Sequence, residues 1–386
     1  MAGIYIHIPF CKQACYYCNF HFSTSLNFKD EMVNSLIREI ELRSSFLKNE
    51  IENDISVISP GEIIETIYFG GGTPSLLLKD EIISIIDSIK QNYCVADDTE
   101  ITLEANPDDI SLEKLYGWKK AGINRLSIGI QSFIDRDLKW MNRAHNAKQA
   151  LACIMLARKA GFQNFSTDLI FGTPGLTNDE WKENVQKVIQ LDVPHIACYA
   201  LTVEPKTALQ KMIDLKKKKN IDSDMQAAQY SALMKTMSGV GYEHYEISNF
   251  AKPGFRSRHN SSYWQGKKYI GIGPSAHSYD GKMRMWNKAN NGIYIKSIEE
   301  NRISFEKEIL TRSQKLNEYI MTSLRTMGGM DLQFIKNNFS NNERNRIENV
   351  IKNEVEKEMY LLNNKNIILT DEGKLFADGI AVKLFV

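Results

Sequence analysis

The sequence predicts an α/β fold: a partial (β/α)6 barrel, open on one side, followed by a winged-helix-like C-terminal domain. Three observations point there. Short β-branched or apolar runs alternate with amphipathic stretches through residues 1–200, as in a parallel sheet with right-handed crossovers. Glycine or polar residues stand at the carboxyl ends of these runs, the rim on which a barrel carries its chemistry. After about residue 305 the pattern changes to consecutive helices and a short hairpin.

The strand-like runs are 3–8, 63–69, 99–105, 124–130, 165–171 and 195–201, and the helical stretches lie near 28–48, 79–92, 111–120, 146–160 and 177–191. Six strands are fewer than the eight of a closed barrel, so one side is expected to stay open. Residues 201–305 read as a barrel-completing region, with a helix near 222–239 and strands at 242–247 and 269–273. Residues 306–386 form the C-terminal unit: helices at 314–326, 331–338 and 343–357, then Met359-Tyr360-Leu361-Leu362, an Asn363-Asn364 turn and Ile367-Ile368-Leu369-Thr370. Its basic and acidic residues balance, without the one-sided basic face that nucleic acid requires. The segment therefore reads as a packing or partner module.

At 386 residues the chain can bury one large core and a small second one. A net charge of +1 provides no whole-chain field for nucleic acid or anionic membrane. The run Lys216–Lys219 reads as a solvated loop. No run of 18 apolar residues suggests a transmembrane segment, and no signal peptide is evident at the N-terminus. Six cysteines occur. Cys94, Cys153 and Cys198 lie in apolar runs and are expected to be buried packing residues. Unpaired, clustered thiols suit a reducing compartment, and a cytoplasmic location is expected.

The other three cysteines carry the chemistry. Cys11, Cys15 and Cys18 follow the run Ile4-Tyr5-Ile6-His7-Ile8-Pro9-Phe10 with C-x3-C-x2-C spacing. Three thiolates can hold three irons of a [4Fe–4S] cluster and leave the fourth open to a small molecule. A three-thiolate zinc site completed by His7 or His21 is the competing reading. Gly70-Gly71-Gly72-Thr73-Pro74 ends the next strand, and glycine there permits close backbone approach. Taken alone, that run is only a turn, and Glu104 or Asp168 alone would be a helix cap or rim salt bridge.

Together these segments, with Asp168-Leu169-Ile170-Phe171-Gly172-Thr173-Pro174-Gly175 and His259-Asn260-Ser261-Ser262-Tyr263-Trp264, resemble the branch of the radical S-adenosylmethionine (SAM) superfamily that contains oxygen-independent coproporphyrinogen III oxidase and heme chaperones. The resemblance runs from about residue 3 to the C-terminus. It implies a radical SAM barrel with a [4Fe–4S] cluster on Cys11, Cys15 and Cys18 and SAM on the open iron. It also implies SAM contacts from Tyr5, Gly71, Gly72, Thr73, Glu104, Gln131, Arg143 and Asp168, and an electron donor for the cluster. A carboxylate can accept both ribose hydroxyls, and a guanidinium can pair with the SAM carboxylate.

Within that branch, the oxidase resembles a pattern with one more cysteine two residues after the third, where this chain has Phe20. The oxidase also has a segment before its first strand, whereas here that strand is expected at residue 3. The segment His259–Trp264 is similar to the His-Asn-x-x-Tyr-Trp motif of the chaperones, so His259 is the candidate heme ligand and His277 a second one. The expected function is that of a heme chaperone passing heme to an acceptor protein. A porphyrinogen-decarboxylating oxidase and a radical SAM enzyme on another substrate are the alternatives.

Overall fold

Six parallel strands in sequence order form the centre of the molecule. In the computed structural model, which describes residues 1–47, 62–362 and 365–386, β1 (Ala2–Ile8) leads through α1 (Lys29–Leu42) to β2 (Ile64–Gly71). The chain continues with α2 (Lys79–Asn92), β3 (Val95–Ala105), α3 (Leu112–Lys120) and β4 (Arg125–Gln131). Two helices, α4 (Asp135–Met141) and α5 (Ala147–Lys159), precede β5 (Phe165–Phe171), and α6 (Asn178–Gln190) precedes β6 (His195–Ala200). All five pairings from β1 to β6 are parallel. Helix starts follow local chemistry: Asn146 with Gln149, and Thr177 with Glu180, form reciprocal capping boxes that satisfy otherwise orphaned backbone donors.

The period-2 alternation of a strand decides what each face meets. Ile4, Ile6 and Ile8, then Ile67 and Phe69, then Leu126, Ile128 and Ile130 belong to the main apolar core. The alternating set is polar: Tyr5 and His7, Thr66 and Tyr68, Thr102 and Glu104, Arg125 and Ser127. Cross-strand pairing aligns Tyr5 with Tyr68, Tyr68 with Thr102, Thr102 with Arg125, and Glu104 with Ser127. The helices thus bury one face of the sheet, and the other carries a continuous polar lining.

The sheet stays open. After α7 (Ala208–Asp214) and α8 (Ser223–Gly239), β7 (Glu243–Glu246) and β8 (Asn249–Ala251) attach antiparallel beside β6. Following α9 (Arg258–Trp264), β9 (Lys268–Ile272) pairs parallel to β1, and β10 (His277–Tyr279) and β11 (Met283–Asn287) extend that side antiparallel. Beyond α10 (Asn291–Glu299), β12 (Phe305–Ile309) completes a twelve-stranded sheet in which β1 and β6 never meet.

A second, smaller core follows. It comprises α11 (Arg312–Leu324), β13 (Met330–Asp331), α12 (Leu332–Asn338), α13 (Asn341–Glu354), β14 (Tyr360–Leu362), β15 (Asn366–Leu369), α14 (Asp371–Lys374) and α15 (Ala377–Leu384). The order helix, strand, two helices and hairpin, with a sheet ordered β13-β15-β14, is the arrangement of a winged helix. The boundary expected at 305/306 falls inside β12, because main-chain bonds to β11 tie that strand to the large sheet. Residue 48, the expected end of the first helix, and the Asn363-Asn364 turn lie outside the described residues. Helices α4 and α7, each of seven residues, were not predicted, since two turns give a 3.6 period little room to stand out, although α12, equally short, was. No helix of the described residues is long and apolar enough to cross a membrane.

Candidate functional site

The cysteine loop leaves the carboxyl end of β1 and is pinned at two points from outside and by one bond within itself. Cys11 N–H donates to Ser23 O at 3.0 Å, Tyr16 N–H to Met141 O at 3.2 Å, and Cys18 N–H to Cys15 O at 3.3 Å. All three thiols are free and line one cavity of about 1010 Å³. Thr73 Oγ1 donates to Cys11 Sγ and Arg143 Nη1 to Cys15 Sγ, each at 3.4 Å. Burial pushes the Cys11 thiol up to about 11 and raises Cys18 as well, so metal binding here must displace protons. Among the described residues no three His, Cys, Asp or Glu side chains converge on a single ion. The zinc alternative would take its fourth ligand from His7 or His21, and both are engaged in other hydrogen bonds. A cubane needs no such convergence, since each thiolate takes a different corner.

The glycine run at the end of β2 is constrained first by the chain itself. Gly71 has φ +106°, and a Cβ there would lie 2.6 Å from the His7 ring. At Gly72 a Cβ would lie 2.6 Å from Phe10 O and 2.8 Å from Ile8 O. Gly72 N–H donates to Ile8 O at 2.9 Å, so bare backbone packs directly under the cysteine loop. Both glycines and Thr73 also line the cavity.

Glu104, Gln131, Arg143 and Asp168 are brought to the same cavity from β3, β4, the α4–α5 connection and β5. Glu104 Oε1 accepts from Tyr68 Oη at 2.8 Å. Burial, with a further contribution from Asp168, raises its carboxyl to about 7, and burial raises Asp168 to about 6 despite Arg125 and Arg143. Gln131 holds a left-handed backbone, φ 66°, which is uncommon for a residue other than glycine. Arg143 Nη2 donates to Asn106 Oδ1 at 2.6 Å and to Gly129 O at 2.9 Å, while its buried Nε has no partner among the described residues. An orphaned guanidinium N–H beside this cavity suits a carboxylate ligand.

Asn106 was legible only within its strand-end segment, and Asn142 and Tyr199 were missed by sequence reasoning. Asn106 joins Arg143 to Thr73 Oγ1, to which it donates at 3.2 Å. Its place in Glu104-Ala105-Asn106-Pro107, at a strand end, was the available signal. Asn142 ends α4 in the left-handed conformation, φ 60°, and its Nδ2 donates to Ala14 O at 2.7 Å, clasping the cysteine loop. Tyr199, at the end of β6, is 43% exposed and lines the same cavity.

Two site candidates lie in surroundings the sequence did not foresee, and the expected burial of Cys94 is corrected. Tyr5 lines a second, smaller cavity instead of the one holding the cysteines; its ring lies 6.1 Å from Tyr68, and its hydroxyl pairs with His7. His259 is 1% exposed. Its Nδ1 is hydrogen-bonded to Thr66 Oγ1 at 2.8 Å and its Nε2 to Tyr263 Oη at 2.9 Å, and its ring stacks on Tyr68. It contacts the amino-terminal part of β2 and so plugs the end of the barrel opposite the cysteines, with neither ring nitrogen open to iron. Cys94 is exposed, unlike buried Cys153 and Cys198, because it lies in the connection between α2 and β3. The Lys216–Lys219 loop is largely solvated, with Lys218 set over Trp140.

A rim loop carrying three free thiols, a glycine-bearing strand end beneath it and an open parallel barrel define a radical SAM protein. Residues 5–188 match the Radical SAM superfamily. The fold is similar to that of the solved coproporphyrinogen III oxidase HemN from Escherichia coli, a radical SAM enzyme, with a TM-score of 0.83 and 22% identity over 100% of this chain and 90% of that one. More specifically, the chain belongs to the heme chaperone HemW family. It is 33% identical to HemW of Bacillus subtilis (strain 168), covering 98% of each chain, and 32% identical to HemW of Lactococcus lactis (strain IL1403), covering 99% and 97%. Superfamily membership implies a [4Fe–4S] cluster and SAM, and the thiols, the orphaned Arg143 Nε and the cavity fit both groups.

Proposed function

We propose that this chain is a heme chaperone that binds heme and passes it to an acceptor protein. The observation that carries the reading is the near full-length similarity to curated proteins named heme chaperone HemW. Phe20, at the place of the oxidase's additional cysteine, supports it further. Likeness to HemN at 22% identity speaks for the fold alone.

In this reading Cys11, Cys15 and Cys18 hold the cluster, and Gly71, Gly72, Thr73, Glu104, Gln131, Arg143 and Asp168 surround SAM. When bound and reduced, the pair can supply a 5′-deoxyadenosyl radical; whether the chain acts as an enzyme depends on its use. The protein's own part is to place carboxylates for ribose hydroxyls, offer Arg143 Nε to a carboxylate and limit water. An electron donor would serve the cluster, and a chain of free thiols suits the cytoplasm.

The test is a pair of assays on one anaerobically reconstituted preparation. Hemin should bind at about one per chain, as for a single ligating site, and move to an apo-hemoprotein added afterwards. With SAM and a reductant, coproporphyrinogen III should remain unconverted. Decarboxylation would replace this reading with the oxidase.

A further inference from the structure

Seven histidines occur in the chain. Six of them use at least one ring nitrogen in an internal hydrogen bond: His7, His21, His145, His195, His244 and His259. His277 is the exception: neither of its ring nitrogens makes a hydrogen bond to a described residue, and the residue is exposed at the start of β10.

Its surroundings are aromatic. Strand register puts His277 opposite Trp286 and Tyr279 opposite both Arg284 and Tyr269, all on one face of the sheet. The His277 and Trp286 rings stack with centroids 5.9 Å apart. Tyr263, from the His-Asn-x-x-Tyr-Trp helix, meets Tyr269 edge-on at 4.7 Å. Between them lies the second cavity, about 290 Å³, lined by Tyr5, His7, Phe20, Tyr263, Tyr269 and His277, among others. Phe20 is 64% exposed and also lines the larger, cysteine-bearing cavity. Arg284, on the same sheet face, pairs through Nη2 with Glu318 at 3.0 Å and keeps a buried Nε without a partner among the described residues.

Resting on the heme-chaperone reading, we propose that His277 is the axial ligand for heme iron, with the porphyrin seated against Phe20, Tyr263 and Tyr269. The cavity is too small to enclose a whole macrocycle, so one side of the ring stays open, as suits a cargo that must leave. Neutral imidazole is the form that ligates iron, and partial desolvation of the ring against its aromatic neighbours, together with Arg284, holds His277 below its ordinary value. The role of the chaperone motif is then indirect: Tyr263 forms a wall, and His259 fixes Tyr263.

The full chain would be titrated with hemin and followed by its Soret band. His277→Ala should weaken binding at least about ten-fold, by analogy with the loss of a single strong ligand interaction, and remove the imidazole-ligated Soret band; free imidazole should restore that band. Cluster content should be unchanged, and because His277 is exposed the variant should melt like wild type. Wild-type affinity and spectrum in His277→Ala would overturn this site while leaving the chaperone intact. Absence of hemin binding by the wild type would overturn the proposed function and this site with it.

Discussion

Arg143 Nη1 lies 3.4 Å from the Sγ of Cys15. The same guanidinium donates to Asn106 and to the Gly129 carbonyl, so one side chain ties the cysteine loop to the ends of β3 and β4. The loop carries three of the chain's most chemically exacting residues but has no secondary structure of its own to hold them. Long-range polar contacts provide that rigidity.

Of the six cysteines, only the three of that loop should set cluster content. Anaerobic reconstitution should load about four irons per chain, as for a single cubane. The triple Cys11/Cys15/Cys18→Ala variant should load none, whereas changing Cys94, Cys153 or Cys198 should leave iron and sulfide unaltered. Colorimetric iron and sulfide determination decides it.

Gly72→Ala should be severe for so small a change. The added methyl would meet Phe10 and Ile8 backbone atoms at 2.6–2.9 Å, and backbone cannot rotate aside as a side chain can. The loop must shift, so we expect loss of about 1–3 kcal/mol in stability and reduced iron loading. Thermal melting and iron analysis of the same preparation would show both.

Glu104 gives a pH-dependent test. Burial raises its carboxyl from an ordinary 4.5 to about 7. Its contribution to folding is therefore fully present below the unfolded value and is lost as pH rises through about 7. Glu104→Gln, which stays neutral, should stabilise the cofactor-free protein at about pH 8 by ~1–3 kcal/mol, with the gap narrowing toward about pH 5. The same variant should bind SAM about ten- to a hundred-fold more weakly, having lost a charged acceptor. Melting curves across pH and calorimetry with SAM read the two effects; equal stability at both pH values would refute the first.

His259→Ala should act on stability more than on the heme spectrum. It removes a buried ring stacked on Tyr68 and strips hydrogen-bond partners from Thr66 and Tyr263. A cost of about 2–4 kcal/mol follows from the cavity and the orphaned hydroxyls. Denaturant unfolding would measure it, and hemin spectra of the folded fraction should keep their imidazole-ligated Soret band.

Much of this molecule was legible in its sequence because the signals are local. Strand–helix alternation depends on residue period: the β5 run and the second helix were predicted with the bounds observed, Phe165–Phe171 and Lys79–Asn92. Cysteine spacing depends on chain reach, so Cys11, Cys15 and Cys18 identified their loop without any distant partner. The polar residues at strand ends converge on one cavity because parallel strands present all their carboxyl ends on one rim.

Tertiary structure alone decided which histidine is free. Little that is local distinguishes His259, inside a family motif, from His277, five residues after the end of β9. Tyr263, one helical turn from His259, is a local partner, but the bond to Thr66 crosses a long stretch of chain, and the open sheet face beside His277 is set by packing. The same holds for Asn106, Asn142 and the Arg143 contacts, and for Tyr5, whose side chain reaches the second cavity only because β9 pairs with β1. Hydrogen-bond saturation and burial belong to the packed chain, and they determine which of several chemically suitable residues can meet a ligand.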